Sequence, residues 1–206
     1  MTRPQPDRRM MIAGLLTPLV ASCTQAAERA AAALPDDMTL GARAAPATIV
    51  EYASVGCPVC GHWARDVYPA LKAKYIDSGR VKFTYREMLV GNGMEVSTAA
   101  AGFVLARCAG PSKYFPVLDA IYKNQDQMFR VPRETLLAIA KSCGLTEAEF
   151  NACMTDDKAF AALSARVDRN ARRDSVNATP TFVVNGRKLE AGYKTLDVLE
   201  AALRKA

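Results

Sequence analysis

Residues 47–85 run strand, helix, strand, and residues 180–204 run strand, turn, strand, helix; the stretch between them carries helical periodicity only. Ala47-Thr48-Ile49-Val50-Glu51-Tyr52-Ala53 is rich in β-branched residues and reads as a buried strand. Gly56 and Cys57 turn the chain, and Pro58 suits the first turn of a helix, where a missing N–H leaves nothing unpaired. Val59, Trp63, Val67, Ala70 and Leu71 then recur at helical spacing, Ser78-Gly79 ends that helix, and Val81–Tyr85 alternates as a second strand. A β–α–β unit of this kind favours a parallel pair. From Glu95 to Arg173 the apolar positions are helical: Val96, Ala100, Phe103 and Val104; Phe115, Leu118, Ile121 and Tyr122; Leu136, Leu137 and Ala140. Gly144 is a helix stop, and Thr146-Glu147-Ala148-Glu149 is a capping-box start. Pro180–Val184 is again a strand, Asn185-Gly186 is a two-residue hairpin turn, Arg187-Lys188-Leu189 begins its partner, and Thr195 caps a last helix carrying Leu196, Leu199 and Leu203. The predicted class is α/β: a core of residues 39–94 and 174–206, interrupted by a helical insertion, 95–173.

Two cysteines sit where the first strand meets the first helix. In Cys57-Pro58-Val59-Cys60 the first sulfur faces the N–H groups and positive dipole end of the helix, which favour its thiolate, the species that attacks a disulfide. Cys60, nearly one turn on, lies over Cys57 and can close the ring. Cys57 is therefore expected to be the exposed attacking thiol and Cys60 the buried resolving one. Glu51 stands six residues before Cys57 in an otherwise apolar strand. A charge is costly to bury there without purpose. It either lies under the cysteine pair, where it could move the proton of Cys60 during exchange, or faces water at a strand edge.

The N-terminus reads as an export signal over residues 1–22: Arg8 and Arg9 precede an apolar run, Met10 to Ala21, too short to span a bilayer. Val20-Ala21-Ser22-Cys23 resembles a lipoprotein processing site with Cys23 as the lipidated residue. An ordinary signal cut after Ala26 or Ala27, or a twin-arginine signal, are the alternatives. All of them place the protein outside the cytoplasm, in the periplasm or cell envelope. Residues 23–38 are then a tether, with ordered structure beginning near Ala47. Six cysteines in an exported chain fit an oxidising compartment. Beyond Cys23, Cys57 and Cys60 they are Cys108, Cys143 and Cys153, three in number, so at most one internal disulfide forms among them. The formal charge of +6 is partly carried by the signal, and no block of five basic residues occurs. Nucleic acid is excluded as a partner, and Arg166, Arg169, Arg172 and Arg173 are read as the solvated face of a helix.

Taken together, Ile49–Ser54, Cys57-Pro58-Val59-Cys60, the helical insertion and Ala178-Thr179-Pro180-Thr181-Phe182-Val183-Val184-Asn185-Gly186 resemble the DsbA family of bacterial disulfide oxidoreductases, a thioredoxin fold with a helical insertion. The resemblance covers residues 38–206. It implies a monomeric oxidase of exported proteins, reoxidised by a quinone-linked membrane protein of the DsbB type, with no cofactor of its own. It also implies that Pro180 is cis beside the reactive pair, where a trans proline opening an edge strand is the plain alternative, and that the backbone of Thr179 pairs with an extended substrate segment. Cys108 and Cys153 resemble a second, structural disulfide found in some branches, which leaves Cys143 as a buried free thiol. One position departs from the pattern. Many members carry histidine where this chain has Val59, and an imidazole there stabilises the Cys57 thiolate as valine cannot. A weaker oxidant is expected. His62, one turn from Val59, either partly replaces that imidazole or is a surface residue.

Other functions are weighed against this one. A reductase or isomerase uses the same chemistry, but the short segment between Cys23 and the first strand leaves no room for a dimerisation domain of the isomerase kind. A metal-binding or metal-delivery module would use Cys57, Cys60 and His62, three ligands within six residues, which make a poor closed site.

Overall fold

The computed structural model describes Met1 and residues 34–205. The export signal, the lipidation candidate Cys23 and most of the expected tether lie outside the described residues. Five strands form one sheet: β1 (Met38–Leu40), β2 (Ala47–Ala53), β3 (Val81–Glu87), β4 (Thr181–Val184) and β5 (Arg187–Lys188), in the order β1-β3-β2-β4-β5. The β2–β3 pair is parallel, as the β–α–β reading expects, and the other neighbours are antiparallel. Between β2 and β3 run α1 (Pro58–Asp66), α2 (Tyr68–Leu71) and a π-helical turn, Lys72–Ile76. Six helices fill the insertion: α3 (Gly93–Cys108), α4 (Tyr114–Lys123), α5 (Gln125–Arg130), α6 (Pro132–Ser142), α7 (Glu147–Met154) and α8 (Asp157–Arg173). The chain closes with α9 (Leu196–Arg204).

Local chemistry explains most of these boundaries. Thr146 and Glu149 cap each other's backbone N–H groups at the start of α7, at 2.7 and 3.2 Å. Asn185 and Gly186 both take positive φ, +47° and +77°, which a twist-matched two-residue hairpin requires. The helix after β2 differs from the single element expected. Pro69 offers no N–H to the ladder and crowds the preceding turn, so the helix breaks at Val67 and restarts as α2.

The sheet is covered on both faces. Ile49, Phe83, Tyr85, Phe182 and Val184 join the main core with α1 and the insertion, while Val50, Tyr52, Met88, Val176 and Val183 form a smaller cluster on the other side. Strand alternation puts Glu51 on the main-core side, beneath α1.

Two expectations are corrected here. Order begins before Ala47: β1 pairs with β3, and Asp36 and Asp37 are anchored rather than part of a tether. Arg86, buried in β3, bonds both Asp37 and Asp174 at 2.9 and 3.1 Å, and the Tyr52 hydroxyl bonds Arg86 and Asp174 as well. Likewise the arginines of α8 are only partly a solvated face. Arg166 pairs with the buried Glu87 at 2.9 Å, beside Arg107 at 2.6 Å, and Arg169 reaches Asp36 at 2.8 Å, while Arg169 and Arg172 stay exposed as expected. Buried charges need such partners, because removing one leaves the other uncompensated.

Cys108 and Cys153 are bridged, with Cα atoms 6.2 Å apart, and tie the end of α3 to α7. Cys143 caps α6 and is half-buried, not buried as the sequence suggested. The bridge closes a sequence separation of 45, for which loop-closure entropy gives roughly 4 kcal/mol. Replacing both cysteines by alanine is expected to lower unfolding stability by about 2–4 kcal/mol, read by denaturant titration, while leaving the alkylation rate of Cys57 unchanged.

Candidate active site

The site forms where β2 stops and α1 starts. Cys57 is the N-cap residue of α1, in extended backbone conformation, and its sulfur accepts the N–H of Cys60 at 3.4 Å. At 9% exposed it is buried, not the exposed thiol the sequence suggested, because the helix start and the Thr179-Pro180 loop close over it. A helix start leaves backbone donors without intrahelical partners, and a side-chain acceptor at the N-cap satisfies one of them. Here that acceptor is the sulfur of Cys57, the group the sequence points to as the attacking thiol. Thr179 faces it across the loop before β4, joined to Pro180 by a cis peptide bond, with Cys57 Sγ 3.6 Å from the Thr179 carbonyl oxygen. Gly192 N–H donates to the Pro180 carbonyl at 2.8 Å, and the Trp63 indole donates to Lys194 at 3.0 Å, so α1 and the Pro180 loop are held together behind the pair.

The three titratable groups are driven apart. Cys57 is lowered from 9.0 to about 6: the Cys60 thiol donates to its thiolate, and the Thr179 side chain and the N–H groups of Cys60 and Val59 add to this against the opposing effect of burial. Cys60 is wholly buried, and burial, its bond to Cys57 and the charges of Cys57 and Glu51 hold its thiol well above the ordinary value. Glu51 is 3% exposed, far from a water-facing edge position. It sits in register between Tyr85 of β3 and Phe182 of β4, and burial, with the Cys57 charge beside it, pushes its carboxyl well above the usual carboxylate range. A cavity of about 30 Å³, lined by Glu51, Trp63, Tyr68, Tyr85, Asp119 and Tyr122, is large enough for one water.

The structure thus brings together Cys57, Cys60, Pro58, Glu51, Thr179 and Pro180. Val59 lies on the same turn with 42% of its surface exposed. His62 is exposed and is not drawn into the cluster. Cys57, Cys60 and His62 do not converge, and among the described residues no group of three metal-ligating side chains forms. The sequence reading missed the tyrosines around Glu51: Tyr85 and Tyr122, both buried, share a 2.7 Å hydroxyl contact. The register of β2 on β3 places Tyr85 there, and alternation along one strand does not reveal its neighbour.

Comparison with known proteins agrees with this geometry. A family model described as thioredoxin matches residues 33–205. A protein-disulfide oxidoreductase of Rickettsia conorii is 31% identical over 174 residues, covering 83% of this chain and 60% of the relative. Disulfide bond formation protein D of Bacillus subtilis is 25% identical over 170 residues, 81% of this chain and 75% of that protein. The crystal structure of α-DsbA1 from Wolbachia pipientis superposes with a TM-score of 0.74 at 27% identity, covering 84% and 92% of the two chains. The chain spans about three fifths of the length of the Rickettsia relatives.

Alkylation of reduced protein at Cys57 should titrate with a midpoint near 6, and Cys57→Ser should abolish it. The unfolded thiol, near 9.0, holds its proton over a range where the folded Cys57 has lost it. Cys57 therefore adds stability as pH rises from about 6 to 9, and that contribution is lost as pH falls through 6. Glu51 works with the opposite sign from its ordinary 4.5 upward. The stability difference between reduced wild type and Cys57→Ser, measured across that range, isolates the cysteine term and should grow with pH.

Proposed function

The chain belongs to the thioredoxin family, and on that premise we propose that it is an exported thiol–disulfide oxidoreductase that introduces disulfides into secreted or envelope proteins through Cys57 and Cys60. The observation that carries this reading is the difference within the buried pair: one sulfur caps a helix, accepts its backbone N–H and has a pKa near 6, while the other is wholly enclosed and held as thiol. In the oxidised protein a substrate thiolate attacks Cys57 Sγ, the Cys57–Cys60 bond breaks, and a mixed disulfide forms while Cys60 leaves as thiolate. Cys60 favours the protonated state, and Glu51, a protonated acid beneath it, is placed to supply the proton. A second substrate thiolate then attacks the substrate sulfur of the mixed disulfide. The substrate disulfide forms, Cys57 departs as a stabilised thiolate, and two electrons have moved from substrate to protein. In the reverse direction Cys57 attacks and Cys60, deprotonated through Glu51, resolves.

A Cys57 pKa of about 6 lies between roughly 7 for thioredoxin and 3.5 for the strongly oxidising DsbA of the same fold. That supports an oxidant of intermediate strength, in keeping with Val59. The Cys108–Cys153 bridge fits an oxidising compartment. Among the described residues no helix is long and apolar enough to cross a membrane. Export, attachment through Cys23, a monomeric state and reoxidation by a quinone-linked membrane protein rest on the sequence and on the family resemblance. The same holds for Thr179 as the backbone partner of the substrate and for Cys57 as the atom it meets.

Equilibration in glutathione buffers tests the direction of exchange. A Cys57–Cys60 potential near or above about −180 mV, with oxidation of a reduced model substrate, is the expected result. A value near about −270 mV would point to a reductase. Glu51→Gln replaces one neutral group by another at neutral pH, so Cys57 alkylation should change little. Turnover of a reduced substrate should fall by at least about tenfold, toward the lower end of general acid–base contributions. Unchanged turnover would remove Glu51 from the proton transfer.

A further inference from the structure

One side chain of the insertion reaches the loop that carries Cys57. Gln125, the first residue of α5, is 3% exposed, and its side-chain amide donates to the Val55 carbonyl at 2.8 Å and to the Cys57 carbonyl at 3.0 Å. Both partners are carbonyl oxygens, so the NH2 end of the carboxamide is the end that faces them. The two carbonyls flank Gly56, the most permissive link between β2 and α1. The Cys57 carbonyl also accepts the Gly61 N–H at 3.1 Å, the first hydrogen bond of α1, so Gln125 and the helix hold the same oxygen. Space has been made for this amide. A Cβ on Gly61 would overlap Gln125 Oε1 and stand 2.8 Å from its Cδ, so the residue after Cys60 and the amide fit each other only when the former is glycine. Nearby, Arg65 of α1 donates to the Tyr122 carbonyl at 2.7 Å, a second tie from the same stretch of the insertion.

A carboxamide buried with two donors committed to backbone carbonyls is a fixed strut. Without it the buried Val55 carbonyl loses this donor, and the Cys57 carbonyl keeps the Gly61 N–H alone. The peptide planes on either side of Gly56 set where the Cys57 side chain starts, and hydrogen bonds to sulfur weaken steeply once misaligned. We propose that Gln125 is a positioning residue for the exchange reaction: from the insertion it holds the Val55–Cys57 backbone in the orientation that keeps Cys57 Sγ aimed at the N–H groups of α1 and at Thr179. It touches neither substrate nor sulfur and acts through the backbone. This rests on Cys57 being the exchanging thiol. It adds that the insertion, far from only covering the core, helps set how strongly the reduced form is favoured.

The test is Gln125→Met, which keeps length and flexibility and removes both donors, with Gln125→Asn as a shorter side chain that keeps its donors but cannot span both carbonyls. Four quantities are read on purified reduced protein: the pH midpoint of Cys57 alkylation, the equilibrium constant with glutathione, and the near-ultraviolet circular dichroism and denaturant midpoint that report the fold. In Gln125→Met the alkylation midpoint should rise by about one pH unit. The equilibrium should shift about tenfold against the reduced form, equivalent to roughly 30 mV, with a native spectrum retained. Gln125→Asn should move both in the same direction by less. A merely structural amide would lower the denaturant midpoint and leave midpoint and equilibrium where they are; that result in a folded Gln125→Met protein overturns the proposal. If Gln125→Met does not fold, Gln125→Asn decides: a shift in both redox readouts supports the proposal, and none overturns it. Wild type measured alongside keeps the two readings apart. Failure of wild type to exchange with glutathione defeats the oxidoreductase reading, whereas normal wild-type exchange with unshifted variants defeats the positioning role alone.

Discussion

A helix cannot begin without leaving backbone N–H groups in search of an acceptor, and in this protein the acceptor is the sulfur of Cys57. Serine or aspartate in that place would close the cap inertly. A thiol does so only in proportion to its negative charge, and so the same interaction that starts α1 draws the proton from Cys57. The other parts of the site either hold this cap in place or respond to it. The Pro180 loop is laced to α1 through Gly192 and Trp63, so Thr179 meets the sulfur from the side that the helix leaves open. Pro58 gives up an N–H that the first turn would not have used.

The responses separate the two thiols of the pair. Cys60 lies within the first turn, over Cys57 and inside the core, so its thiolate would be desolvated and set against an existing negative charge. The thiol is worth more to the site as a donor to Cys57. Glu51 is placed by strand alternation on the same side of the sheet and is kept protonated by the same two causes, burial and the nearby sulfur charge. One charge is allowed at this spot, and the geometry assigns it to Cys57. Glu51 is the neighbouring acid that burial keeps in its protonated form beside the pair.

Much of this was legible in the sequence because it is local. The β-branched run before Cys57, the Thr146–Glu149 capping box and the Asn185-Gly186 turn each specify their own backbone within a few residues. The pattern Cys57-Pro58-Val59-Cys60 specifies its own cap. What the sequence hid is non-local. β1 is three residues long and exists through its pairing with β3, and nothing in Met38–Leu40 alone announces it. Asp36 and Asp37 look like solvated linker until Arg169 and Arg86 arrive from distant parts of the chain. Arg166 of α8 reads as part of a wet face for the same reason. Gln125 carries no local sign of its role, because a glutamine in a helical block is ordinary and its partners lie in the Cys57 loop.

The position of Val59 shows how these local and non-local contributions divide the work. It stands on the exposed side of the first turn, where a polar side chain would meet the Cys57 thiolate and water together, and a branched apolar group there neither donates a proton nor carries a charge. Stabilisation of the thiolate falls instead to the Cys60 thiol, to the Thr179 side chain and to the backbone. Backbone donors act only while they stay aligned, and their alignment is set by the peptide planes from Val55 to Gly61. Those planes are held from behind, by β2 on one side and by the insertion on the other. A site whose motif lacks a tuning side chain thus depends more heavily on the scaffold that aims its backbone. In this chain the setting of Cys57 is shaped by how the insertion packs against α1 as well as by the four residues that name the motif.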